Sequence, residues 1–131
     1  MGLTGGCFCG RVRYAISAPL KAVRCCHCSR CRKISGSAFS AAAVVNANEF
    51  VVVQGENALK ATTSDEGVNR VFCSNCGSPM FVSQGDQMRL RLGTLDTPLL
   101  DPPRMHIYAA SKADWFAIHD DLPQHAERPS G

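Results

Sequence analysis

The residues of this sequence best equipped for chemistry are its 8 cysteines, which fall in three groups along 131 residues. Cys7-Phe8-Cys9 is followed by Gly10, and Cys73-Ser74-Asn75-Cys76 is followed by Gly77. Between them stands Cys26-His27-Cys28-Ser29-Arg30-Cys31, with Cys25 just before it. Two thiolates on one tight turn can share a tetrahedral zinc ion, and the glycine after each pair admits the positive φ such turns favour. Three thiolates within six residues can hold an ion and leave a fourth position open. Seven thiols in groups of two, three and two thus divide as four plus three. Four sulfur ligands describe a closed structural zinc, and three protein ligands with a vacancy describe a catalytic one. Spacing alone leaves the pairing open, since either two-cysteine group can complete the triplet, as can His27 or Cys25. Cys25 is expected to face the core as a small apolar residue.

The elements that must position these thiols read as short strands. Val12, Tyr14 and Ile16 alternate with Arg11, Arg13 and Ala15, and Met88, Leu90 and Leu92 alternate with Arg89 and Arg91, each set suited to one face of a half-buried antiparallel strand. Arg89 and Arg91 are expected on the solvent face. Further strands are expected over Ala38–Val45, Phe50–Gln54, Leu59–Thr63, Asn69–Phe72, Met80–Ser83 and Met105–Ala109. Turns are marked by Gln54-Gly55, Asp65-Glu66-Gly67 and Gln84-Gly85-Asp86. Helix is scarce: Ser29–Ile34, ended by Ser35-Gly36, and a turn near Ser111–Trp115 with Ser111 as cap. Trp115-Phe116 reads as a hydrophobic plug, His106, His119 and His125 read as strand or surface residues, and the stretch after Leu122 is expected to fray.

Composition narrows the class. The length suits one compact domain over residues 1–131, with 45% apolar and 19% charged residues. The longest apolar run, Ala41–Val45, is far short of the ~18 residues a membrane span needs, and the amino terminus lacks a secretory pattern. A soluble, cytoplasmic protein is expected, in which disulfides are disfavoured and the cysteines serve another purpose. A formal charge of +3 is too small and too scattered to call for nucleic acid. Seven metal-bound thiolates and two zinc ions would bring that charge to about zero, so the basic residues near the triplet, Arg30, Arg32 and Lys33, answer thiolates in this reading.

Three segments taken together resemble the glutathione-dependent formaldehyde-activating enzyme family, which includes the centromere protein V domain. They are Gly5-Gly6-Cys7-Phe8-Cys9-Gly10-Arg11-Val12-Arg13-Tyr14, Cys26 to Lys33 with Ser35-Gly36-Ser37-Ala38-Phe39, and Phe72-Cys73-Ser74-Asn75-Cys76-Gly77-Ser78-Pro79-Met80-Phe81. Gly93-Thr94-Leu95-Asp96, Trp115 and Asp121-Leu122-Pro123 resemble its carboxy-terminal half, so the likeness runs from about Leu3 to Pro123 and leaves a tail of 124–131. The resemblance implies a mainly β, Mss4-like fold of short antiparallel sheets. It implies a structural zinc on Cys7, Cys9, Cys73 and Cys76 and a catalytic zinc on Cys26, Cys28 and Cys31. The activity it implies is a carbon–sulfur lyase that reversibly joins glutathione to formaldehyde as S-hydroxymethylglutathione, or one acting on a related thiol adduct. Arg32 and Lys33 are the nearest basic residues for an anionic tripeptide. The rival class is a non-enzymatic zinc-binding interaction module like the centromere relative, against which stand the low charge and the lack of a basic tail.

Overall fold

The computed structural model describes residues 2–64 and 66–129, so Asp65 of the expected turn and the last two residues of the tail lie outside the described residues. The chain is mainly β, with two sheets of mostly antiparallel strands and one α-helix among the described residues. It divides into two compact units, one formed by Met1–Lys21 and Ala43–Leu100, the other by Ala22–Ala42 and Asp101–Gly131.

In the first unit, β1 (Leu3–Gly6), β2 (Arg13–Ile16) and β5 (Phe50–Gln54) form a three-stranded antiparallel sheet in the order β1-β2-β5. The expected alternation holds: Val12, Tyr14 and Ile16 are each 1% exposed. Tyr14 stacks on Phe50 at a centroid distance of 5.1 Å, and Phe50 meets Phe81 at the same distance. Beside β1 runs the segment 94–97. The Asp96 N–H donates to the Thr4 carbonyl at 2.9 Å, Arg13 pairs with Asp96 at 2.6 Å, and the Tyr14 hydroxyl meets Thr94 Oγ1 at 2.7 Å. Close approach there leaves no room for a side chain at Gly5, whose Cβ would lie 2.3 Å from the Thr94 carbonyl oxygen.

The same unit holds an antiparallel meander, β6 (Leu59–Thr63), β7 (Asn69–Cys73), β8 (Pro79–Gln84) and β9 (Gln87–Arg91). Pro79 stands at the first position of β8, where the missing N–H is tolerated. Met88 and Leu90 are buried as expected, but Leu92 leaves the strand for a 3₁₀ turn over Leu92–Thr94. Arg91 corrects the solvent-face expectation, since it is buried beside Leu90, and Arg89 is half-buried. Alternation breaks down because β9 ends at Arg91 and the backbone turns there.

The second unit contains β3 (Lys21–Cys26) from Ala22 onward, α1 (Ser29–Ser35) and β10 (His106–Ile107), which pairs parallel with β3 in the register His106↔Cys25 and Ile107↔Cys26. In β4 (Ser40–Asn46), Ser40–Ala42 falls in this unit and Ala43–Asn46 in the first. Helix α1 ends as expected at Gly36, left-handed at φ 63°, whose N–H bonds the Arg32 carbonyl. The expected turn near Ser111 is a 3₁₀ turn over Ala109–Ser111, preceded by left-handed Tyr108, so Ser111 closes it rather than capping it. The stretch after Leu122, expected to fray, is tied down instead. His106 N–H donates to the Pro123 carbonyl, His125 N–H to the His106 carbonyl and Tyr108 N–H to the Glu127 carbonyl, all within 2.9 Å. Unpaired backbone beside a two-residue strand supplied the partners that composition did not reveal. Trp115 is no plug: it is 69% exposed, and Phe116 alone turns inward against Phe39.

Candidate metal centre and the buried histidine pair

The first cysteine cluster is built by two turns of the first unit. After β1 the chain folds back on itself, with Cys7 N–H donating to the Val12 carbonyl, Gly10 N–H to the Cys7 carbonyl, and Val12 N–H to Cys7 Sγ at 3.3 Å. After β7 the Cys73 N–H bonds the Ser78 carbonyl, and Gly77 N–H bonds the Cys73 carbonyl at 2.7 Å. Gly10 and Gly77 take φ values of 83° and 82°, the left-handed geometry anticipated for both turns. The sulfurs of Cys7, Cys9, Cys73 and Cys76 lie within 4.8 Å of one another, with Cys7–Cys9 at 3.5 Å and Cys9–Cys73 at 3.9 Å. Sulfurs at ~2.3 Å from a tetrahedral zinc stand about 3.8 Å apart, so this donor set fits zinc. The electrostatics are those of a polarised thiol group. Hydrogen bonds from the Ser78 hydroxyl and backbone bring Cys76 down to about 5, whereas burial pushes Cys73 up.

The second cluster lies wholly in the second unit, at the junction of β3 and α1. Cys26 ends β3, Cys28 is the N-cap of α1 and Cys31 sits in its first turn, where the Cys31 N–H donates to Cys28 Sγ at 3.3 Å. Their three sulfurs again lie within 4.8 Å of one another. Charge concentrates on Cys28. Hydrogen bonds from the Cys26 and Cys31 thiols, aided by the backbone N–H groups of Cys31 and Arg30, pull it down to about 2, while the donor Cys26 is pushed up. Cys28 and Cys31 are partly exposed and Cys26 is buried. Cys25 is buried, and desolvation raises it to about 11. All eight cysteines are free thiols. Of the basic neighbours, Lys33 is exposed, and Arg32 is half-buried with its Nε lacking a hydrogen-bond partner among the described residues.

A third constellation escaped the sequence. His27 is fully buried, and its Nε2 lies 2.8 Å from His106 Nδ1. His106 Nε2 in turn lies 2.9 Å from the Asp120 carboxylate, whose pKa this bond lowers. Burial, then His106 and Lys112, lower the His27 pKa. His106 is a buried strand residue, as one of its two expected roles had it, but nothing in its spacing linked it to His27, 79 positions away, or to Asp120.

A small, mainly β chain with two thiol clusters shaped for metal is the class that fold and site define. A family model described as "glutathione-dependent formaldehyde-activating enzyme" matches residues 2–111. A relative from Halomonas elongata that carries this name provisionally is 30% identical over 128 residues, covering 90% of this chain and 82% of its own. One from Talaromyces marneffei, named in the same way, is 29% identical over 85 residues, 61% of this chain and 46% of its own. A crystal structure of a Rhodobacter sphaeroides protein superposes with a TM-score of 0.62 at 22% identity, covering 72% of this chain and 89% of that one, and shares the fold. The chain belongs to the glutathione-dependent formaldehyde-activating enzyme family.

Proposed function

We propose that the protein is a zinc-dependent carbon–sulfur lyase that reversibly adds glutathione to formaldehyde, giving S-hydroxymethylglutathione, or handles a closely related thiol adduct. The observation that carries this reading is the contrast between the two clusters. Cys7, Cys9, Cys73 and Cys76 supply four sulfurs and complete a tetrahedron, whereas Cys26, Cys28 and Cys31 supply three and leave one position for an external ligand. Zinc held by the three would supply a site where a thiol binds with a lowered pKa. The helical turn that caps on the Cys28 sulfur, through the Cys31 N–H, keeps that sulfur oriented. Arg32, half-buried and with a buried Nε that has no hydrogen-bond partner among the described residues, and Lys33, exposed on the same helix, are the proposed contacts for the carboxylates of the tripeptide. Eight free thiols suit work in the reducing cytoplasm. Among the described residues no helix is long and apolar enough to cross a membrane.

The test is NMR exchange between formaldehyde and glutathione at equilibrium, because the addition also proceeds without a catalyst. The zinc-supplied protein is expected to accelerate exchange over buffer, and Cys28→Ala to lose that acceleration. Exchange no faster than in buffer would overturn the proposal.

A further inference from the structure

His106 is buried, and all four of its hydrogen-bonding groups are engaged. Its N–H donates to the Pro123 carbonyl at 2.8 Å and its carbonyl accepts from the His125 N–H at 2.9 Å. Its Nε2 donates to the Asp120 carboxylate at 2.9 Å, and its Nδ1 shares a hydrogen bond with His27 Nε2 at 2.8 Å. Three of these partners belong to the stretch 120–125, which lies beyond the residues 2–111 matched by the family model; the fourth stands between Cys26 and Cys28. Asp120 is itself held, because its Oδ1 accepts from the Leu122 N–H at 3.0 Å. The backbone on the other side is fixed as well: His27 N–H donates to the Ile107 carbonyl at 3.0 Å, and β10 pairs with Cys25 and Cys26 at the end of β3. His27 adjoins two of the three clustered cysteines, so a backbone turn that swung its ring from His106 would also carry the sulfurs of Cys26 and Cys28 away from that of Cys31. Two buried imidazoles are costly without partners, which makes this line of bonds a stiff anchor.

We propose that the carboxy-terminal stretch sets the second cluster for metal, with Asp120, His106 and His27 as positioning residues that hold Cys26, Cys28 and Cys31 in their converging arrangement. This rests on the second cluster's binding metal, as in the function proposed above, and not on the reaction carried out there. Groups behind a metal's ligands commonly change affinity by ten- to a hundredfold, on the order expected for the loss of Asp120.

The test uses the full chain loaded with cobalt(II), whose thiolate absorption reports each site. The spectrum of Cys28→Ala supplies the first site alone, and its difference from the parent spectrum supplies the second. Asp120→Ala, a change at a side chain 47% exposed, should weaken cobalt at the second site by about tenfold or more in chelator competition and alter its spectrum. The first-site spectrum should stay as it was. Asp121→Ala, which removes an equal charge from an exposed neighbour, should leave both sites as in the parent. A measurement on the unaltered chain needs no variant to fold: coupling is reciprocal, so filling the second site should slow hydrogen exchange at the Leu122 and His125 amides. Equal second-site affinity in Asp120→Ala and parent, equal weakening by Asp121→Ala, or amide exchange indifferent to the second cobalt would overturn the inference. A parent chain that takes up one cobalt alone overturns the metal reading of the second cluster and this inference with it. The expected cobalt results without faster exchange of glutathione and formaldehyde sink only the proposed reaction.

Discussion

Cys28 and Cys73 are both cysteines of a metal-shaped cluster, yet their surroundings give substitution there opposite consequences. Cys73 is wholly buried at the end of β7, and its backbone closes the turn that brings Cys76 to Cys7 and Cys9. Cys28 is partly exposed at the start of a seven-residue helix. Metal analysis of protein purified without chelator is expected to give about two zinc ions per chain. Cys28→Ala should remove one and leave a cooperative thermal transition, whereas Cys73→Ala should abolish that transition. Tyr14 offers a test remote from the second cluster. Burial raises its pKa to about 12 from an ordinary 10.0, against the opposing hydrogen bond with Thr94. Between those values the unfolded chain has released a proton that the folded one retains, so stability is full below pH 10 and falls as pH rises toward 12. Denaturant titrations should show this loss, and Tyr14→Phe should flatten it relative to the parent protein.

At the scale of elements, glycine separates two kinds of cost. Gly77 has a φ of 82° and open space where a Cβ would stand, so Gly77→Ala strains only the backbone, by about 1–2 kcal/mol. In Gly5→Ala the new Cβ would meet the Thr94 carbonyl at 2.3 Å and the Tyr14 hydroxyl at 2.4 Å, forcing β1 from the segment beside it. Urea unfolding should show the larger loss for Gly5→Ala. The same elements show where sequence patterns run out. Strands β5 and β6 were legible in full, and α1 to within one residue, because Val and Thr content, glycine stops and capping are local signals. Strand β3 was missed. Lys21-Ala22-Val23-Arg24-Cys25-Cys26 is buried without alternation toward its end, since Cys25 and Cys26 are both interior. Strand β1 is half glycine and its strand propensity is weak; its partners β2 and the 94–97 segment impose it.

For the molecule as a whole, the carboxy-terminal segment is the least expected part. Its backbone serves as partner to residues 106–110, so deleting residues after Leu122 should strip protection from the amides of His106, Tyr108 and Ala110 in hydrogen exchange. Unchanged protection would contradict that bonding. Each compact unit holds one complete sulfur cluster, 7/9/73/76 in the first and 26/28/31 in the second. Sequence by itself determined the three cysteine groups, the glycine turns that shape two of them, the alternating core strands and the family, because each is a matter of neighbours along the chain. Which cysteine groups converge was open to spacing and was settled in space, where turns 64 residues apart bring Cys9 and Cys73 within 3.9 Å. Only the tertiary structure made Arg91 an interior residue and joined His27, His106 and Asp120 into one hydrogen-bonded line. The physical reason is the same in each case: burial and hydrogen-bond direction belong to groups far apart in sequence, and no periodicity along the chain encodes which of them meet.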